Sequence, residues 1–132
     1  MIGIDTNVLV RYLVQDDPRQ AALAAQFFER ELSAERPGHL SLVALAETVW
    51  VLQARYGIGK ADLVPMVATL AADARLVVQD ADALWLALES CEDSDADLAD
   101  ALIRHVDAMH GCSHTVTFDK RAARLGGMVL LQ

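Results

Sequence analysis

The sequence predicts an α/β fold: a three-layer α/β/α sandwich with a mainly parallel central sheet. Short apolar segments rich in β-branched residues alternate with longer segments that have helical spacing. Glycine and proline residues punctuate the predicted elements. The alternation implies parallel strands joined by right-handed helical crossovers. Since 132 residues with 54% apolar content suit one core, we expect a single domain over residues 1–132.

Each element follows from a local pattern. A helix is expected after Asp5 or Thr6, and Pro18 suits the first turn of the next one. Gly57 and Gly111 are natural helix stops, whereas Pro65 predicts a late start or a kink in its helix. The predicted strands are residues 1–5, 39–42, 75–78, 115–118 and 129–131. The predicted helices after the first are residues 18–32, 44–56, 60–74, about 81–90 and 96–110, with a helical turn at 120–125.

The sequence gives no strong signal for a targeting segment, a membrane span or a zinc-binding cysteine pattern. The N-terminus shows no secretory or transit pattern, and no apolar run reaches the roughly 18 residues of a membrane span. We therefore expect a cytoplasmic protein without a membrane partner. Cys91 and Cys112 lack zinc-site spacing and are expected to be reduced packing residues.

The formal net charge of −8 at first argues against a nucleic-acid partner, because phosphate binding normally needs lysine and arginine. If several of the acids surround divalent cations, however, the bound cations make the local electrostatic potential positive, and a polyanion can bind there. Lys120, Arg121, Arg124 and Arg11 are then the candidate phosphate contacts.

Four carboxylates separated along the chain predict a metal site. Asp5 and Asp119 each follow a predicted strand, and the carboxyl ends of parallel strands form the usual site of an open sheet. Glu47 and Asp100 lie on helices, and Asp97 shares nearly the same helix face as Asp100. Oxygen ligands of this kind suit Mg²⁺ or Mn²⁺.

Each acid also has an ordinary structural interpretation. Asp5 and Asp119 sit where helix caps occur, and Glu47 is typical of a solvated helix face. Asp97 and Asp100 are compatible with an acidic surface stripe. Their combined placement favours a shared site, because independent caps need not fall together at strand ends and beside apolar helix flanks.

Four segments resemble the PIN domain, and more narrowly the VapC-type toxins of toxin–antitoxin pairs. They are IDTNVLVRYL, LVALAETVWVL, DADLADALI and GCSHTVTFDKRA, in the family's order over nearly the whole chain. The resemblance matches Asp5, Glu47, Asp100 and Asp119 to catalytic metal-site acids and Asp97 to an auxiliary metal ligand. It matches small polar positions around the acids to Thr6, Asn7, Ser41 and Thr117.

This resemblance implies a PIN-like fold and cleavage of single-stranded RNA with Mg²⁺ or Mn²⁺. It also implies a homodimer and inhibition by a cognate antitoxin protein. The mechanistic hypothesis assigns the principal cation to Asp5, Glu47 and Asp100. Asp119 then orients the attacking water or holds a second ion. The identity of the RNA is not indicated.

Two other functions remain open from the residues. An aspartate-dependent phosphatase or phosphotransferase would use Asp5 as nucleophile, but its usual second aspartate two positions later is Asn7 here. A noncatalytic nuclease-like interaction module would use the acids to bind a basic peptide. The complete set of acids favours catalysis over such a module.

Overall fold

The computed structural model describes residues 1–132 and divides them into two compact units, Met1–Gln79 and Asp80–Gln132. The organisation of the chain as one domain stays a prediction. The strands are β1 (Ile2–Gly3), β2 (Gly38–Leu40), β3 (Leu76–Val78), β4 (Thr115–Thr117) and β5 (Met128–Leu130). The helices are α1 (Thr6–Leu13), α2 (Pro18–Arg30), α3 (Leu42–Ala54), α4 (Lys60–Ala72), α5 (Ala81–Glu92) and α6 (Leu98–Met109).

The first unit contains a three-stranded parallel sheet in the order β1-β2-β3, together with α1 to α4. Two of its helices begin at side-chain caps. Asp17 accepts a hydrogen bond from the backbone N–H of Gln20, and Ser41 accepts one from that of Ala44. These caps fix where α2 and α3 start after the preceding turn or strand.

The second unit pairs β4 with β5 in parallel, with Val116 opposite Val129. Helices α5 and α6 pack against each other and bury apolar side chains such as Leu84, Leu88 and Leu98. A 3₁₀ turn, Ala122–Arg124, connects the two strands and buries Ala122.

The predicted α/β class with parallel strands is confirmed, because every strand pair is parallel. Two local expectations are wrong. Helix α4 begins at Lys60 and contains Pro65, so the expected late start is wrong, whereas the alternative of a kink stays a prediction. The proline removes one backbone N–H donor from the helix. Cys112 is exposed in the turn after α6, whereas Cys91 is the buried packing residue expected. No helix is long and apolar enough to cross a bilayer.

A guanidinium group connects three elements of the first unit. Arg75 donates to both carboxylate oxygens of Asp73, to the carbonyl oxygen of Phe28 at 3.1 Å and to the Tyr12 hydroxyl at 3.4 Å. The rings of Tyr12 and Phe28 stack with centroids 3.9 Å apart. This network ties α1 and α2 to the turn before β3.

The Arg75 hydrogen bonds lower the pKa of Asp73 below its ordinary value of 3.8. A depressed carboxyl pKa contributes stability that is present above the unfolded-state value and is lost as pH falls through the folded value. The contribution of Asp73 is therefore complete at neutral pH and disappears in the acid range below about pH 4.

We predict that Asp73→Asn lowers the free energy of unfolding at pH 7 by about 1 to 2 kcal/mol, because the Arg75 donors lose a charged acceptor. The difference from the unmutated protein shrinks as the pH falls below about 4. Urea unfolding at both pH values measures it. Asp62→Asn, at an exposed position on α4, is the control and should change stability by less than about 0.5 kcal/mol. Equal changes in the free energy of unfolding for Asp73→Asn and Asp62→Asn would contradict the stabilising role of the contact between Asp73 and Arg75.

Candidate carboxylate site

Asp5 lies at the start of α1 in the first unit, just beyond β1. Its backbone carbonyl accepts hydrogen bonds from the N–H groups of Val8 and Leu9, at 3.1 and 3.3 Å. The side chain makes no capping hydrogen bond and is exposed. The simple helix-cap interpretation therefore does not account for its carboxylate, which is available to a ligand.

The small polar residues of the first unit have structural partners. Thr6 is buried, and its hydroxyl donates to the carbonyl oxygen of Ala44 at 3.5 Å, which connects α1 to α3. Ser41 caps α3, the helix that carries the exposed Glu47. Asn7 is exposed on α1. Thr6 and Ser41 therefore position the helices that carry Asp5 and Glu47.

Three predicted acids interact electrostatically in the second unit. Burial raises the pKa of Asp100, and the negative charges of Asp119 and Asp97 raise it further. The backbone N–H of Asp97 donates to the Asp100 carboxylate and opposes the shift. Asp97 begins α6 without a side-chain cap bond. The structure thus places Asp97 and Asp119 within electrostatic reach of Asp100.

Asp119 is held in place by local hydrogen bonds. Its backbone N–H donates to the Thr117 hydroxyl at 3.0 Å. Its Oδ1 accepts from the backbone N–H groups of Arg121 and Ala122, at 2.8 and 3.3 Å. Asp119 therefore does cap the turn that follows it, as its structural interpretation predicted. Only Oδ1 is used for this, so Oδ2 stays available to a ligand.

None of the five predicted acids takes part in the four ion pairs of the chain. Their donor chemistry, carboxylate oxygen throughout, fits a hard divalent cation. No group of three or more His, Cys, Asp or Glu side chains is arranged as a metal site. Asp5 and Glu47 belong to one unit and the other three acids to the second. The convergence of all the acids on one cation site stays a prediction.

The candidate phosphate contacts differ in their availability. Arg11 is paired with Asp16 at 2.9 Å, and Arg124 is paired with Asp95. Lys120 and Arg121 are exposed and directly follow Asp119. These two residues are therefore better placed than Arg11 and Arg124 to meet a phosphate.

One feature of the first unit was not predicted. A cavity of about 410 Å³ lies against β1, α1 and α2, and both Ile4 and Asn7 line it. Gln20, another lining residue, had no role in the sequence-based prediction. The apolar residues that line the cavity have the same helical spacing as residues that face a filled core. The sequence pattern therefore does not predict a cavity at this place.

A family model described as PIN domain matches residues 2–128. Among solved structures, the crystal structure of Mycobacterium tuberculosis VapC20, described as a Sarcin-Ricin loop cleaving toxin, is 21% identical. The alignment covers 96% of each chain, with a TM-score of 0.46. No curated protein matches the chain.

We predict that Asp100→Asn raises the thermal stability of the metal-free protein at neutral pH. A raised carboxyl pKa means that ionisation costs folding stability, and this cost is present once the pH exceeds the folded value. Asparagine removes the charge but keeps an oxygen acceptor for the Asp97 N–H. Differential scanning calorimetry in EDTA measures the change, with Asp82→Asn on α5, an exposed position, as the matched control. A lower Tm for Asp100→Asn than for the control would contradict the claim that the ionised Asp100 carboxylate destabilises the metal-free protein.

Proposed function

Because the chain belongs to the PIN domain family, a family of nucleases, we propose that it is a metal-dependent endoribonuclease that cleaves single-stranded RNA. We propose further that it is the toxin of a type II toxin–antitoxin system and works in the cytoplasm. The observation that carries the catalytic proposal is the group of Asp97, Asp100 and Asp119, in which burial and then the neighbouring negative charges raise the pKa of Asp100. Such a group binds a cation more readily than a carboxylate already held in an ion pair.

Asp5, Glu47, Asp100 and Asp119 are the proposed catalytic and metal-holding residues, and Asp97 is an auxiliary ligand. A bound Mg²⁺ or Mn²⁺ supplies Lewis-acid activation of water and neutralises charge on the phosphate. Asp119, fixed through Oδ1 by two backbone N–H groups, presents a defined second oxygen that orients the attacking water. Thr117 and Ser41 hold the backbone near Asp119 and the start of the Glu47 helix.

The charge distribution supports an RNA substrate despite the net charge of −8. Cation binding neutralises part of the acidic group, and the exposed Lys120 and Arg121 lie next to Asp119 in the chain. These two residues are the proposed phosphate contacts. In-line attack of water then breaks the bond between phosphorus and the leaving ribose oxygen, and the products carry 5′-phosphate and 3′-hydroxyl ends.

A homodimer and a cognate antitoxin are the proposed protein partners. Helix α3 supports a protein contact, since Val43 is 81% exposed and Trp50 is 60% exposed on that helix. Trp50 is thus a surface residue and not a core residue. An aromatic and an aliphatic side chain exposed on one helix are typical of an interface.

We predict that the protein cleaves labelled single-stranded RNA with Mg²⁺ or Mn²⁺ and that EDTA abolishes cleavage. Asp100→Asn and Asp119→Asn should each reduce kcat/KM by at least about 100-fold, because each removes a charged oxygen from the reaction. Initial rates from gel-resolved fragments measure the loss.

Asp62→Asn and Asp82→Asn are the charge-matched controls for this assay, since both residues are exposed acids in the first turn of another helix. They should retain the full rate. Undiminished cleavage in EDTA, or an equal rate in the site and control variants, would overturn the proposed function.

A further inference from the structure

Three charged residues of the second unit lie along one side of α6. Asp100, Arg104 and Asp107 follow one another at spacings of four and three positions, which places them on the same side of the helix. Leu98 and Leu102 are buried and lie on the opposite side. Since those apolar side chains point away from it, the charged side of α6 makes its contacts through hydrogen bonds and charges.

Two of the three residues bind the β4–β5 pair. Asp107 Oδ2 accepts a hydrogen bond at 2.7 Å from the hydroxyl of Thr115, the first residue of β4. Arg104 Nε donates to the carbonyl oxygen of Gly126 at 2.7 Å, just before β5. Because β4 and β5 are parallel and Thr115 is opposite Met128, both bonds lie at the same end of the two strands. The C-terminal half of α6 is thus tied to the beginning of both strands.

The third residue, Asp100, reaches the other end of β4. It interacts electrostatically with Asp119, which follows that strand, so α6 runs antiparallel to β4. Asp100 and Asp107 are about 10 Å apart along the helix axis, at roughly 1.5 Å per residue. Thr115 and Asp119 are at most about 13 Å apart, at roughly 3.3 Å per extended residue. The similar lengths mean that the bonds at the beginning of the strands determine how Asp100 lies relative to Asp119.

The turn that enters β5 is shaped around the Arg104 side chain. Gly127 has a φ of +88°, and a Cβ at this position would collide with Nε and Cζ of Arg104. The guanidinium group therefore packs against the backbone of the turn as well as donating to it. Arg104 takes part in none of the four ion pairs, so its hydrogen bond to the turn and this packing account for its placement.

We propose that Arg104 is a positioning residue, which holds the segment between β4 and β5 against α6 and thereby sets the distance between Asp100 and Asp119. Its effect on RNA cleavage rests on the proposed function. A shift of α6 by one residue along β4 would move Asp100 by about 1.5 Å. A misplacement of about 1 Å can lower the rate of a catalysed reaction about 100-fold. Arg104 therefore acts through the two acids and does not itself contact RNA.

Hydrogen exchange of the metal-free protein tests the contact itself. Arg104→Met removes the donor and keeps a side chain of similar length, and Arg30→Met, at an exposed position at the end of α2, is the charge-matched control. In Arg104→Met the backbone amides of Leu125 and Met128, which are hydrogen-bonded within the segment, should exchange about tenfold faster. The amides of α5 should keep their rates. Unchanged exchange at Leu125 and Met128, or an equal increase in α5, would overturn the proposal.

Metal binding and kinetics test the effect on the acids. Mn²⁺ titration followed by electron paramagnetic resonance should give about tenfold weaker binding for Arg104→Met than for Arg30→Met. The kcat for RNA cleavage should fall about tenfold, with KM changed less than about twofold. Arg104→Lys keeps a donor and should stay within about threefold of the unmutated protein. A raised KM with unchanged kcat would make Arg104 a phosphate contact and would overturn the proposal.

Thr115→Val tests the same idea without a change of charge. It removes the hydroxyl that donates to Asp107 and keeps the shape of the side chain. Because this bond holds the same end of α6, kcat should fall about threefold with KM unchanged. A full rate would contradict the claim that the position of α6 along β4 controls the acids. Absence of metal-dependent cleavage by the unmutated protein would refute the proposed function, whereas the exchange measurement would still decide whether Arg104 holds the segment.

Discussion

Repulsion among carboxylates is the interaction on which the functional account depends. Asp100 is partly buried, and the charges of Asp119 and Asp97 add to the cost of ionising it. None of the three acids is relieved by an ion pair, although Asp95, close by in sequence, is paired with Arg124. A fold that keeps such a group loses stability in the absence of a cation. This loss of folding stability is explained if the acids bind a ligand, because functional sites commonly reduce the stability of a protein.

Much of the fold was predictable because local signals agreed with one another. Pro18 and the alanine-rich segment that follows it both favour a helix, and α2 begins at Pro18. The resemblance to the PIN domain is confirmed by the family match over residues 2–128, and with it the predicted PIN-like fold. The exposure of Cys112 was missed, because composition alone does not separate a buried cysteine from one in a surface turn.

The sequence located the acids better than it described their surroundings. Asp5 and Asp119 both looked like possible caps, yet only the Asp119 carboxylate accepts capping hydrogen bonds. Spacing could not separate the two, because capping depends on side-chain rotamers. The pairing of Arg11 with Asp16 and Tyr56 was also out of reach, since Tyr56 is 45 residues from Arg11. That pairing matters because it changes Arg11 from a candidate phosphate contact into a residue whose charge is already compensated by Asp16.

The most direct measurement of the central claim is the pKa of the Asp100 carboxyl, followed by carbon NMR with and without Mg²⁺ in the full chain. Without metal it should titrate above the ordinary aspartate value of 3.8, because burial and the charges of Asp119 and Asp97 disfavour ionisation. Saturating Mg²⁺ should bring the pKa below that value, since a nearby cation stabilises the carboxylate. A pKa that stays unchanged on addition of Mg²⁺ would contradict the claim that these acids act as a metal-binding group.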